Sequence, residues 1–135
     1  MAIEFNLELE DEFFLGEDKV VDFEIFGPDD VTPFNITGLA LEWNLRKKDS
    51  SPDPALLTKT PSVIGTFNID PGVNSQRARL TFASNDTDPL VTSQLVTPYT
   101  LKANTAYRHS MKLKDPGNET ILSYGSWTFN QATER

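Results

Sequence analysis

"AYRHSMKLKDPGNETILSYGSWTF", residues 106–129, reads as two alternating runs folded back on each other through Asp115-Pro116-Gly117-Asn118. Proline presets the first central residue of a type II turn and glycine supplies the positive φ that the second requires. Pairing inward from that turn sets Lys114 against Glu119, Met111 against Leu122, His109 against Tyr124 and Tyr107 against Ser126, the last three on one core-facing side. The same register sends Trp127 and Phe129 to the opposite side unless one extra residue reverses the phase. Gly125 is the expected place for such a bulge, because glycine inside a strand often marks one. Without it, two aromatic side chains would form an exposed edge of the kind that meets another protein.

The period of two extends through the chain. Ile3, Phe5, Leu7 and Leu9 alternate with polar residues, as do Val21, Phe23 and Ile25, then Leu39, Leu41, Trp43 and Leu45, and later Ala78, Leu80 and Phe82. Each run predicts a half-buried strand. The stretches between them, "FGPDDVTPFNITG", "KKDSSPDP" and "NIDPGVNSQ", are built from residues that favour turns. One helical turn is expected within "SNDTDPLVTSQLV", capped by Ser84 or Asn85. About seven or eight short strands separated by turns predict an all-β, immunoglobulin-like antiparallel sandwich, since a half-buried sheet needs a second sheet over its apolar face. Trp43 takes the place of a buried tryptophan in mid-strand, and Tyr107 the place of a tyrosine corner that bonds to backbone upstream. The expected organisation is an acidic strand or extension over 1–15, the sandwich over 16–130 and a tail over 131–135.

The 135 residues suffice for one core, and the absence of cysteine removes disulfides, thiolate nucleophiles and sulfur-ligated metals. No apolar run reaches the length of a membrane span, and the acidic start is unlike an export signal, so a soluble chain without membrane contact is expected. Up to Asp30 there are eleven acidic residues against the single Lys19, whereas the remainder has nine acidic and eleven basic ones. This acidic pole repels nucleic-acid phosphates and keeps the chain soluble or suits a basic partner. Arg46, Lys47 and Lys48, closing the tryptophan strand, are a solvated strand end or a dock for an acidic neighbour, including another copy of the chain.

Chemistry-bearing motifs are sparse. His109, the sole histidine, shares its strand face with Tyr107, Met111 and Leu113, which points to a structural residue rather than a general base at a cleft. One His and no Cys leave no common zinc set, "ELEDE" lacks calcium-loop spacing, and no phosphate-binding glycine motif occurs. No catalytic residue, cofactor or metal is therefore expected. The Asn-x-Ser/Thr triplets at Asn35, Asn85 and Asn118 read as turn residues.

The succession "GEDKVVDFEIF", "FNITGLALEWNLRKK", "ALLTK", "RARLTF" and "NTAYRHSMKLKDPGNETILSYGSWTF", over about residues 16–130, resembles the small immunoglobulin-like virion proteins of tailed bacteriophages, similar to the N-terminal domain of the siphophage upper baseplate protein. The resemblance implies a non-enzymatic structural component of the particle, in baseplate, tail, neck, fibre or head, made in the bacterial host cytoplasm and partnered by other virion proteins and by itself. Candidate interface residues are Ile3, Phe5, Phe13, Phe14, Phe26, Trp127 and Phe129. The run "MAIEFNLELE", outside the resemblance, is expected to join its own sheet, the alternative being a neighbour's edge. The alternative function is a carbohydrate-binding sandwich module using Trp127, Phe129 and Tyr99.

Overall fold

A computed structural model describes residues 3–47, 55–88, 101–114, 117 and 119–131. Its strands are β1 (Ile3–Glu4), β2 (Lys19–Phe23), β3 (Leu41–Lys47), β4 (Leu57–Lys59), β5 (Ser62–Ile64), β6 (Arg77–Phe82), β7 (Ala106–Leu113) and β8 (Thr120–Thr128). They form a five-stranded sheet, in the order β1-β8-β7-β3-β4, and a three-stranded sheet, β2-β6-β5. Every pairing is antiparallel except β1 with β8, which is parallel. The chain is an all-β sandwich.

Alternation places the core as the sequence predicts. Val21 and Phe23 of β2 and Ala78, Leu80 and Phe82 of β6 face inward from the smaller sheet, opposite Leu41, Trp43 and Leu45 of β3 and Tyr107, His109 and Met111 of β7. Large rings fill the centre. Trp43 lies 5.0 Å from Trp127 and 5.4 Å from Phe82, centroid to centroid, in tilted and edge-on arrangements that suit aromatic quadrupoles. Tyr107 makes the expected corner, its hydroxyl accepting the backbone N–H of Lys102 at 2.7 Å.

The β7–β8 hairpin corrects the position of the bulge. Leu113 faces Thr120 and Lys112 faces Ile121, as counting from the turn requires, but Met111 then faces Ser123 and the offset persists through His109–Gly125 and Tyr107–Trp127. Leu122 is the extra residue, so Leu122 and Ser123 are both buried in succession. The phase reverses three residues before Gly125. As a result Trp127 and Phe129 turn fully inward, and Tyr124, placed on the core side by the unbulged register, turns outward. The turn at Asp115–Asn118 lies outside the described residues apart from Gly117, whose φ is +83°.

The N-terminal segment joins its own sandwich. Phe5 N–H donates to Tyr124 O at 2.8 Å, Leu7 N–H to Ser126 O at 2.9 Å, and Thr128 N–H returns to Leu7 O at 2.8 Å. The strand alternation ends there: Leu9, expected to be buried, begins a single 3-10 turn, Leu9–Asp11, and is 42% exposed. The chain then re-enters the core at Phe13 and Leu15, where Asn130 N–H donates to Phe13 O at 2.7 Å.

A helical turn does form, α1 (Ser84–Thr87), but its cap is Ala83 rather than Ser84 or Asn85. The Asp86 carboxylate reaches back to accept the Ala83 N–H and pairs with Lys59 Nζ, both at 2.8 Å. The rest of the stretch expected to hold this helix, from Pro89 onward, lies outside the described residues. Asn35 acts as a turn residue, its side chain accepting the Thr37 N–H at 3.0 Å.

Candidate functional site

Because odd-numbered residues of β3 and β7 point inward, Arg46, Arg108, Ser110 and Lys112 point outward on the five-stranded sheet. Ile121, opposite Lys112, shares this face, and the bulge brings Tyr124 to it; the two are 44% and 46% exposed. Arg46, Arg108, Ser110, Ile121 and Tyr124, with Glu4 and Asn6 of the N-terminal segment, surround an open depression of about 630 Å³. It crosses the sheet from the edge segment to β3, and its register is defined: Arg46 faces Arg108, Arg108 faces Ser126, and Ser110 faces Tyr124.

Two parts of this face differ in charge. Toward the hairpin turn, Lys112 Nζ lies 3.2 Å from Glu119 and 3.9 Å from Glu42, and Lys114 Nζ lies 3.1 Å from Glu42. The Asn44 side-chain amide, and after it Lys114, hold the Glu42 carboxyl below its ordinary pKa against the opposing effect of burial. Charges are compensated there. At the other part, Arg46 and Arg108 occupy directly opposed positions on neighbouring strands. Arg108 makes no ion pair among the described residues.

Asn6 secures the wall of the depression, its side-chain oxygen accepting Ser126 N–H at 2.9 Å and Ser126 Oγ–H at 3.3 Å. Beneath it, Gly125 has φ +156°, and a Cβ added there would overlap the Phe5 carbonyl oxygen and stand 2.7 Å from Asn6 Oδ1. Glycine is thus required by the close passage of the N-terminal backbone, not by the bulge.

His109 is fully engaged in structure. Trp43 Nε1–H donates to its Nδ1 at 3.1 Å, and its Nε2 lies 2.6 Å from Phe5 O. Burial lowers its pKa, opposed by the bond to Phe5. Neither ring nitrogen is presented to solvent as a base.

The sequence-derived interface residues are dispersed. Ile3 pairs through its backbone with Ser123. Phe5 is half-buried, its ring 4.7 Å from Phe23 and 6.0 Å from His109. Phe13, Trp127 and Phe129 are entirely within the core and offer no surface to a partner. Phe14 and Phe26 are half-buried, bridged to Asn130 and Pro33 respectively. None of the seven lines the depression. The sugar-binding trio loses Trp127 and Phe129 to the core, and Tyr99 lies outside the described residues. Tyr124 went unrecognised because its exposure depends on where the bulge falls, whereas Arg108 and Ile121 lie on the outward face that alternation and the turn register already give.

Among the described residues no group of three metal-ligating side chains occurs and no helix is long and apolar enough to cross a membrane. No protein-family model, curated protein or solved structure matches this chain.

Proposed function

We propose that this protein is a non-enzymatic structural component of a tailed-phage virion that works through assembly contacts made by the outer face of its five-stranded sheet. The observation that carries the reading is the pairing of exposed Tyr124 and Ile121 with Arg46 and Arg108 on one open, largely pre-formed surface. Aromatic and arginine side chains on a rigid sheet supply contact area and directional charge at small conformational cost, which suits protein docking. The immunoglobulin-like part of the reading is supported by strand order. The three strands β2-β6-β5 correspond to B-E-D and the run β8-β7-β3-β4 to G-F-C-C′ of such domains, with the tyrosine corner in its expected place. The engagement of both His109 nitrogens in the core supports an assembly role over catalysis.

The test is a mass-spectrometric inventory of tailed particles purified from a host carrying the gene. Peptides of this chain at a fixed copy number per particle are expected. Abundance in the lysate with absence from washed particles would overturn the proposal, and selective binding on a glycan array would then favour the carbohydrate module.

A further inference from the structure

The depression on the five-stranded sheet has a chemically matched counterpart on the same molecule. Residues 8–12 form an exposed corner at the end of the sandwich where β8 finishes, presenting Glu8, Glu10, Asp11 and Glu12 around the exposed Leu9. The corner is held in shape locally: the Asp11 carboxylate accepts Glu8 N–H at 2.8 Å, and Glu12 closes the turn in the left-handed region with φ 56°. One patch therefore offers carboxylates around an aliphatic side chain, and the other offers Arg46 and Arg108 beside Tyr124 and Ile121. We infer that copies of this chain associate by seating the acidic Leu9 corner of one in the Arg108–Tyr124 depression of the next. This deepens the assembly reading above and rests on it.

The physical argument is charge complementarity combined with unburied apolar surface. Arg108 makes no ion pair among the described residues, and a carboxylate arriving beside it supplies one. Leu9 gains a covered position against Tyr124 and Ile121, which are otherwise left in water. The contact joins two different patches, so a defect in either one blocks it while leaving the other competent.

Sedimentation velocity over a concentration series in low salt tests this. The full chain is expected to form species larger than a monomer that revert in about 0.5 M salt, where screening acts within a few ångströms. Arg108→Glu is expected to weaken association about tenfold or more, as is the pair Glu10→Lys with Glu12→Lys, which spares the Asp11 cap. All three positions are exposed, so circular dichroism melts should match the parent protein. Mixing the two variants restores one competent corner and one competent depression, and a heterodimer is expected. A chain that stays monomeric throughout, variants that associate like the parent, or a mixture that remains monomeric would each overturn the inference. Monomeric behaviour in a protein found in particles overturns this contact alone, and association in a protein absent from particles supports the contact while overturning the virion role.

Discussion

Trp43 donates its indole N–H to Nδ1 of His109 across 3.1 Å, inside the core. Indole only donates, so Nδ1 is the acceptor and the imidazole proton sits on Nε2, directed at the Phe5 carbonyl 2.6 Å away. One neutral ring thereby links β3, β7 and the N-terminal segment.

Trp43 and Trp127 are both completely buried, yet Trp127 Nε1 has no hydrogen-bond acceptor among the described residues. Trp43→Phe strands the Nδ1 acceptor, adding about 1–3 kcal/mol to the loss of ring volume, whereas Trp127→Phe removes a donor that had no partner. Urea unfolding should rank Trp43→Phe as the more damaging, and Trp43→Ala should cost about 3–5 kcal/mol. Equal or reversed ranking of the two phenylalanine variants would show that the indole–imidazole bond contributes nothing.

The same bond predicts a pH dependence. Burial lowers the folded-state pKa of His109 below its ordinary value of 6.5, so the unfolded chain takes up the proton first as pH falls. Stability is expected to be full above about 6.5 and to decline below it until the folded form also protonates. His109→Gln should remove this step while retaining the descent at lower pH from carboxylates such as Asp22, whose pKa is lowered chiefly by its hydrogen bond with Arg79. Melting temperatures between pH 7 and 5 for both proteins give the comparison, and an identical slope would exclude His109 as the source.

Gly125→Ala places a methyl group against the Phe5 backbone. The expected outcome is a loss of about 1–3 kcal/mol, typical of overpacking a fitted site. Hydrogen exchange should accelerate at the Phe5 and Leu7 amides, which bond to β8, more than at amides of the β2–β6 pair. Unchanged protection at Phe5 would contradict the close approach of the segment.

Removing residues 1–10 takes away buried Leu7, half-buried Phe5 and the acceptor for His109 Nε2. Burial of such side chains is worth about 1.5–3 kcal/mol each before the chain entropy recovered is subtracted. Thermal unfolding of residues 11–135 should therefore show a clearly lowered midpoint. A midpoint equal to that of the full chain would mean that these residues contribute to contacts with neighbours only.

Period-two alternation determined which faces of β2, β3, β6 and β7 are buried, because one face of each strand must leave water whatever its neighbours are. It also marked Trp43 and Tyr107, since a bulky ring in mid-strand and a tyrosine entering the penultimate strand each have one economical place in a sandwich. Alternation left two outcomes for Leu122 and Trp127, an odd number apart: a phase change between them, or an unbroken strand with Trp127 exposed. The position of the phase change was decided by tertiary structure alone. The bulge falls at Leu122, and Gly125 instead serves the passage of Phe5, a contact between residues 120 positions apart that no local pattern records. That choice buries Trp127 and Phe129 and exposes Tyr124 in the depression on the outer face. The N-terminal run also needed the fold: its alternation was compatible with its own sheet or another's, and parallel pairing beside β8 with re-entry at Phe13 exists only once the hairpin supplies an edge and the core a cavity for the ring.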